Sequence, residues 1–172
     1  MNTTGRPPGT APEPRADREW SLRAAEPADV EAIAELRAVV MRPDLERLGR
    51  YDPDRVRRRL RDGFRPEHTS VVLVAGAFAG SVALRPAEDG HWLEHFYLAP
   101  GVQGRGLGSA VLRTLLSGTD ATGTAVRLDV LRGSPARRLY ERHGFRVESE
   151  DATDVLMLRP PPAGCGGNPP AE

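Results

Sequence analysis

The stretch LEHFYLAPGVQGRGLGSAVL, residues 93–112, decides the fold of this chain. A largely apolar strand ends before Pro100, a loop carries Gly104, Gly106 and Gly108, and apolar residues then recur at helical spacing. Glycine lets the backbone turn tightly and approach a ligand closely, and the free amides of a helix N-terminus favour a phosphate group. The pattern therefore predicts a strand, a glycine loop and a helix that together suit a pyrophosphate.

The glycine pattern does not fit the dinucleotide-binding fingerprint G-x-G-x-x-G. Counted from Gly104 the third glycine position is occupied by Ser109, and counted from Gly106 it falls on Val111. All 24 basic residues are arginine, so a Walker-type phosphate loop and a pyridoxal Schiff base both lack the lysine that they need. A different nucleotide-binding enzyme is therefore the weaker interpretation.

Apolar periodicity outward from this unit predicts an α+β domain, with a mixed sheet wrapped by helices. Residues 41–51 are polar and arginine-rich and are expected to form a connection, and residues 76–79 a tight turn. Asp52 and Pro53 are typical of a helix start, with Asp as the cap and Pro in the first turn. The predicted helices begin near residues 26, 52, 110 and 135, and the predicted strands cover residues 20–24, 70–75, 80–84, 92–98, 125–130, 145–149 and 154–158.

Length and composition fit one folded domain, predicted at residues 19–159. A chain of 172 residues with 39% hydrophobic content can bury one sizeable core. Residues 1–18 and 160–172 are rich in Pro and Gly without apolar periodicity, so both tails are expected to be disordered. The 24 basic and 24 acidic side chains leave no net charge, which argues against a nucleic-acid or membrane-surface binder.

The cysteine and histidine residues predict neither disulfides nor a metal cofactor. The single cysteine, Cys165, cannot form an internal disulfide, and a structural zinc site needs several Cys and His ligands at short spacing.

No apolar run approaches the roughly 20 residues of a membrane helix, and the N-terminus lacks the apolar stretch of a secretory signal. A cytoplasmic protein is therefore expected.

Two motifs resemble those of the GNAT N-acetyltransferases. QGRGLG at residues 103–108 matches the pattern Q/R-x-x-G-x-G/A, and ARRLYERHGF at residues 136–145 matches A-x-x-L-Y-x-x-x-G-F further downstream. The resemblance extends over about residues 20–159. It implies the GNAT fold, a mixed and mostly antiparallel central sheet flanked by about four helices, in which a bulge in strand 92–98 opens a V-shaped splay.

The resemblance also implies acetyl-CoA as co-substrate and specific roles at matching positions. The backbone N–H of Leu98 would stabilise the tetrahedral oxyanion. Tyr140 would protonate the departing thiolate, because a phenol with an ordinary pKa near 10 stays protonated at neutral pH; a packed tyrosine beside Leu139 is the structural alternative. The residues implied to contact acetyl-CoA are Phe96, Tyr97 and Leu98 through the strand edge, Gln103, Gly104, Arg105, Gly106, Leu107, Gly108 and Ser109 through their amides, Tyr140, and Ser134 in place of an asparagine found in many members.

Glu94 is the first candidate for the base that deprotonates the acceptor amine. It lies in an otherwise apolar strand beside the expected acyl site, where a carboxylate can also bind a cationic amine. A structural role for Glu94 stays open. His95 would point to the opposite face of a regular strand, and both side chains face inward only if the bulge intervenes; a packed or surface histidine is favoured.

These residues predict direct transfer of an acetyl group from acetyl-CoA to a primary amine in a ternary complex. The alternative is a GNAT-fold sensor that binds acyl-CoA without transferring it, and Tyr140 in register with an intact glycine loop argues against it. The acceptor, a small-molecule or peptide amine, is expected at residues 41–64 and 148–154. For the arginine run at residues 55–61 a solvated helix face is favoured over a substrate-binding role, and the acidic hairpin is interpreted as a solvated turn or an attraction for a cation. Monomer and homodimer both stay open.

Overall fold

The computed structural model describes residues 19–163. Its centre is one seven-stranded sheet in the order β1-β2-β3-β4-β5-β7-β6. Among the described strands only β4 and β5 pair in parallel, and the other neighbours are antiparallel. The strands are β1 (Trp20–Ala24), β2 (Thr69–Val74), β3 (Ala77–Ala87), β4 (Gly90–Leu98), β5 (Val126–Leu131), β6 (Arg146–Glu150) and β7 (Asp154–Arg159), and the helices are α1 (Val30–Val40), α2 (Arg42–Arg47), α3 (Pro53–Gly63), α4 (Leu107–Ala121) and α5 (Ala136–Arg142).

The fold class is confirmed, and two local predictions are wrong. Residues 41–51 contain α2, which lacks an apolar stripe but is supported by ion pairs of Arg42 with Glu46 and of Arg47 with Asp44. The predicted turn at residues 76–79 is shorter. Ala75 and Gly76 alone connect β2 to β3, both with positive φ (51° and 78°), as a two-residue hairpin turn requires.

Helices cover both faces of the sheet. Tyr97 and Leu98 face opposite sides of β4, as neighbours in a strand do: Leu98 joins the larger core on the α4–α5 side, whereas Tyr97 packs against α1 and α3. Leu93 joins the same core as Leu98, because the register of β4 shifts by one residue between them. The larger core consists of Val72, Val82, Leu93, Val111, Leu112, Leu116, Val126, Leu128, Val130, Tyr140, Phe145, Val155 and Met157, and the smaller one of Ile33, Ala34 and Leu60.

Helix α3 is capped at its start and joined to α1 by ion pairs. The Asp52 carboxylate accepts the amides of Asp54 and Arg55 at 3.0 Å, so the predicted cap of α3 is confirmed. Arg57 and Arg61 of α3 form ion pairs with Glu35 and Glu31 of α1. These contacts fix the two helices to each other above the C-terminal half of β4.

The sheet is open between β4 and β5. The two strands pair only at His91 with Val126 and at Trp92 with Arg127, after which they separate. This is the V-shaped splay that the sequence resemblance implies.

No helix among residues 19–163 is long and apolar enough to cross a membrane. The domain limits and the disordered tails stay predictions, since residues 1–18 and 164–172, including Cys165, lie outside the described residues.

Candidate active site

A bulge shapes the strand beside the splay. In the register of β3 and β4, Ala83 faces Glu94 but Ser81 faces Tyr97, so His95 and Phe96 together oppose Val82. His95 has a positive φ of 50°, and its carbonyl oxygen accepts a hydrogen bond of 2.8 Å from the Ser81 hydroxyl. Ser81 is fully buried. It therefore holds the bulge in place, a role that sequence reasoning missed because a lone serine in an apolar strand carries no specific signal.

Removal of the Ser81 hydroxyl should loosen the bulge. In Ser81→Ala the partly buried His95 carbonyl loses its partner, and we expect the free energy of unfolding to fall by about 1–3 kcal/mol. Urea unfolding measures this change. The control is Ser117→Ala, because the Ser117 hydroxyl is exposed and bonds only the Thr114 carbonyl of its own helix. Equal losses in the two variants would show that Ser81 does not hold the bulge.

The backbone of Leu98 faces the open side of β4. Leu98 lies opposite Gly80, and the Ala99 amide donates to the Ala79 carbonyl at 2.8 Å in the next pair. Antiparallel pairs alternate between bonded and non-bonded types, so the Gly80–Leu98 pair is non-bonded. The N–H and C=O of Leu98 thus point away from β3, toward the splay, where the Gln103 side-chain amide donates to the Leu98 carbonyl at 2.8 Å.

Gly80 allows the close approach of the two backbones at this pair. A Cβ on Gly80 would overlap the Tyr97 carbonyl oxygen and lie 2.8 Å from Leu98 Cδ2. Non-bonded antiparallel pairs bring their Cα atoms closest together. The position of the Leu98 N–H therefore depends on the missing side chain at residue 80.

The glycine loop presents uncapped amides. Gly104 and Gly106 adopt positive φ values of 74° and 81°, and Gly106 is the N-cap of α4 without a side-chain cap bond. The amides of the first turn of α4 consequently have no intrahelical partner. Loop residues 103–106 are exposed. A set of exposed amides at the positive end of a 15-residue helix suits a pyrophosphate.

Tyr140 lies on the inner face of α5 and is only 8% exposed. Its ring packs edge-on against Phe145, with 5.8 Å between the ring centroids. Burial first, and then the nearby Tyr97, raise the pKa of the Tyr140 phenol well above its ordinary value. The hydroxyl therefore keeps its proton across the physiological range and is suited to proton donation.

A cavity of about 650 Å³ opens on the α1–α3 side of the splay. Glu94, His95 and Tyr97 of β4 line it together. Neighbouring residues of a regular strand face opposite sides, so the bulge explains how Glu94 and His95 share one cavity. Both Glu94 oxygens accept from Arg85, at 2.7 and 3.2 Å, and His95 Nδ1 lies 3.4 Å from the Tyr97 hydroxyl.

The pKa of His95 is lowered, first by burial and then by the charge of Arg37, against smaller opposing effects of Glu94 and the Gly63 backbone. The imidazole is thus neutral in the folded protein at neutral pH. Since the unfolded chain protonates first, near the ordinary pKa of about 6.5, the free energy of unfolding should fall as the pH drops below that value and level off below the folded pKa.

His95→Gln should reduce this pH dependence. We expect a smaller fall in the free energy of unfolding between about pH 7 and pH 5 than in the unsubstituted protein, measured by urea unfolding at several pH values. His143, whose pKa burial also lowers, provides the comparison variant His143→Gln for the rest of the slope. An unchanged slope in His95→Gln would contradict the buried neutral imidazole.

Comparison with known proteins adds the family. A family model described as "Acetyltransferase (GNAT) domain" matches residues 66–147. Residues 66–147 therefore belong to a GNAT-type acetyltransferase domain. The sequence resemblance to this family is thereby confirmed, whereas the comparison with curated proteins returned no match.

Solved structures share the GNAT fold over most of this acetyltransferase. PaiA N-acetyltransferase from Thermoplasma acidophilum, in complex with coenzyme A, is 19% identical with a TM-score of 0.68, over 83% of this chain and 99% of that one. The ribosomal-protein-S18-alanine N-acetyltransferase from Escherichia coli is 18% identical with a TM-score of 0.65, over 87% and 99%. A GNAT acetyltransferase from Streptococcus pneumoniae is 24% identical with a TM-score of 0.55, over 84% and 100%.

Some of the site residues suggested by the sequence lie together, whereas Glu94 lines the cavity on the α1–α3 side. Phe96, Leu98, Leu107 and Tyr140 belong to one packed cluster, and a Cβ on Gly108 would lie 3.1 Å from Leu139. Ser134 precedes α5, where its hydroxyl accepts the Ala136 amide weakly at 3.4 Å. Arg105 lies exposed in the loop, and Ser109 bonds His143 Nε2 at 3.1 Å.

Sequence reasoning missed one further carboxylate. Asp129 of β5 lines the same cavity as Glu94, and burial first, then Asp154, Asp151 and Glu94, raise its pKa. The signal was present, since Asp129 is an acidic residue in a mostly apolar strand, as Glu94 is. Among the described residues no group of His, Cys, Asp and Glu is arranged to hold a metal ion.

Proposed function

We propose that this GNAT-type acetyltransferase moves an acetyl group from acetyl-CoA directly to a primary amine in a ternary complex. The observation that carries the proposal is the backbone N–H of Leu98, which points away from β3 and faces the splay between β4 and β5. The thioester of acetyl-CoA supplies an activated acetyl group, and PaiA of the same fold is a coenzyme A complex. A sensor that only binds acyl-CoA needs no proton donor. The presence of Tyr140, a phenol suited to donating a proton, therefore favours the transferase.

The coenzyme is proposed to lie along the edge of β4 and across the start of α4. The amides of residues 103–109 would hold the pyrophosphate, since residues 103–106 are exposed and the first amides of α4 are uncapped at the positive helix end. The edge of residues 96–98 would pair with amides of the pantetheine arm as an added strand does. In that arrangement the Gln103 side chain releases the Leu98 carbonyl.

Two groups act on the reacting atoms. The Leu98 N–H donates a hydrogen bond to the acetyl oxygen as negative charge develops there, and one such donor typically contributes about 10²–10³ in rate. The Tyr140 hydroxyl gives its proton to the departing sulfur and regains one from solvent. Its raised pKa keeps that proton in place until the thiolate forms.

The acceptor ammonium must lose a proton before attack. Glu94 lines the cavity, but both of its oxygens are held by Arg85, so we propose that the proton travels through water to the Glu94 carboxylate. The neutral His95 imidazole beside it is a second acceptor for that proton. The Tyr97 hydroxyl lies within hydrogen-bond distance of the His95 ring.

The proposal is tested by isothermal titration of the purified protein with acetyl-CoA, run beside a thiol-release assay over a panel of primary amines. Micromolar binding with amine-dependent release of CoA supports the transferase. Binding without turnover on any amine favours the sensor instead, and no binding at all overturns both.

A further inference from the structure

The cavity beside Glu94 is lined by more arginines than carboxylates. Its arginines are Arg37, Arg50, Arg55, Arg59, Arg65 and Arg85, and its carboxylates are Glu94, Asp129 and Asp154. Arg85 is paired with Glu94. None of the other five arginines forms an ion pair within residues 19–163. The lining therefore carries three more arginines than carboxylates, and Arg50 and Arg59 lie within the electrostatic reach of Asp154.

Helix α3 divides its arginines between two sides. Arg57 and Arg61 lie toward α1, where Glu35 and Glu31 bind them at 2.6 and 2.8 Å. Arg55 and Arg59 face the cavity four residues apart, where like charges repel each other along a helix. The interpretation of the whole run as a solvated face is thus incomplete, because two of its members line the candidate acceptor site.

Arg37 is the deepest of the unpaired arginines. Its Nη1 donates to the Val56 carbonyl at 3.2 Å, and its Nε lies 3.1 Å from the Met41 sulfur. The residue is only partly exposed, and a partly buried charge is costly without a counter-ion. A planar guanidinium in that position suits a carboxylate or phosphate, which it can bind through two parallel hydrogen bonds.

The carboxylates give the cavity a second, opposite preference. Asp129 makes no side-chain hydrogen bond or ion pair among the described residues, and it lies within the electrostatic reach of Glu94. Both side chains belong to the strands that border the splay. An ammonium group near them is stabilised by the Asp129 carboxylate, and it shares the Glu94 carboxylate with Arg85.

We propose that the acceptor is a primary amine that also carries an anionic group, with its amine at Glu94 and Asp129 and its anion at Arg37, Arg55 and Arg59. This inference rests on the proposed acetyl transfer. A free amino acid-like molecule and a peptide N-terminus followed by an acidic residue share this chemistry.

The test compares amines that differ only in the charge of the far end. The first set, assayed with acetyl-CoA, is β-alanine, propylamine and 1,3-diaminopropane, whose far ends are a carboxylate, a methyl group and a second amine, respectively. The second set compares O-phosphoethanolamine with ethanolamine. Two short peptides, with Glu or Lys as the second residue, form the peptide arm. We expect kcat/KM at least tenfold higher for the anionic member of a set, with the advantage falling as salt is added.

The double variant Arg55→Gln/Arg59→Gln should reduce the ratio of anionic to neutral amine turnover by tenfold or more. Arg58→Gln is the matched control, because Arg58 lies on the same helix but does not line the cavity; its ratio should stay unchanged. If only the peptides or only the small molecules show the preference for an anionic amine, that result identifies the acceptor as a peptide or as a small molecule.

Equal or better turnover of neutral or cationic amines overturns the anionic acceptor but leaves acetyl transfer intact. An unaltered ratio in the double variant overturns the arginine site as well. If acetyl-CoA binds and no amine of any charge is acetylated, the proposed function itself fails, and this inference fails with it.

Discussion

Tyr140→Phe is expected to lower kcat by about 10²–10⁴-fold, the usual contribution of a positioned general acid, while acetyl-CoA binding is retained. The phenol is buried and its pKa is raised, so it stays the protonated donor. For the same reason kcat should show no loss through ionisation of this acid below about pH 10. Steady-state kinetics with a primary amine, together with titration of acetyl-CoA, measure both quantities.

The substitution is conservative for packing. The Tyr140 ring contacts Phe145, and Phe keeps that ring contact, so the free energy of unfolding should change little. Tyr97→Phe is the matched control, since Tyr97 is a second phenol that lines the acceptor cavity; a smaller effect on kcat is expected there. An unchanged kcat in Tyr140→Phe would mean that Tyr140 is a packing residue and that another group protonates the thiolate.

Gly80→Ala is expected to reduce kcat by about 100-fold, the contribution of one oxyanion donor. The new Cβ would overlap the Tyr97 carbonyl and press on Leu98, so β4 must move and carry the Leu98 N–H out of position. The same strain should lower the free energy of unfolding by about 1–3 kcal/mol. Both effects are measurable on one preparation, by kinetics and by urea unfolding.

The control for this substitution is Gly118→Ala. Gly118 is exposed within α4, and a Cβ there meets nothing within 4 Å, so the helix should gain stability and kcat should not change. If Gly80→Ala loses stability but keeps its kcat, the Leu98 amide does not contribute to catalysis.

The sequence predicted local structure well where that structure depends on the type of one or two residues. Asp52 and Pro53 marked the start of α3, and the glycines of residues 104–108 marked the loop before α4, because caps and positive φ values depend on the residues themselves. Helix α2 was missed because its six residues carry no apolar stripe and depend on ion pairs such as Arg42 with Glu46.

The candidate site was predictable in its backbone and less so in its side chains. Leu98 and Tyr140 follow from motifs that keep a fixed spacing. The contacts of Glu94 with Arg85 and of His95 with Ser81 cross between strands whose register depends on one inserted residue. A slip of one residue changes the face of every side chain beyond it, so neither partner was visible in the linear order.

The closed end of the splay between β4 and β5 is held by hydrogen bonds, whereas its open end is unpaired. The His91 amide donates to the Ala125 carbonyl at 2.9 Å, and Gly90 lies against the same residue, so the two halves of the sheet are pinned at one end. Beyond that point β4 and β5 form no further hydrogen bonds with each other, and the edge of β4 that faces the splay keeps the extended backbone of a strand. An extended chain of amides can supply the missing hydrogen bonds without separating any pair of strands, and only the Gln103 side chain has to leave the Leu98 carbonyl to receive it.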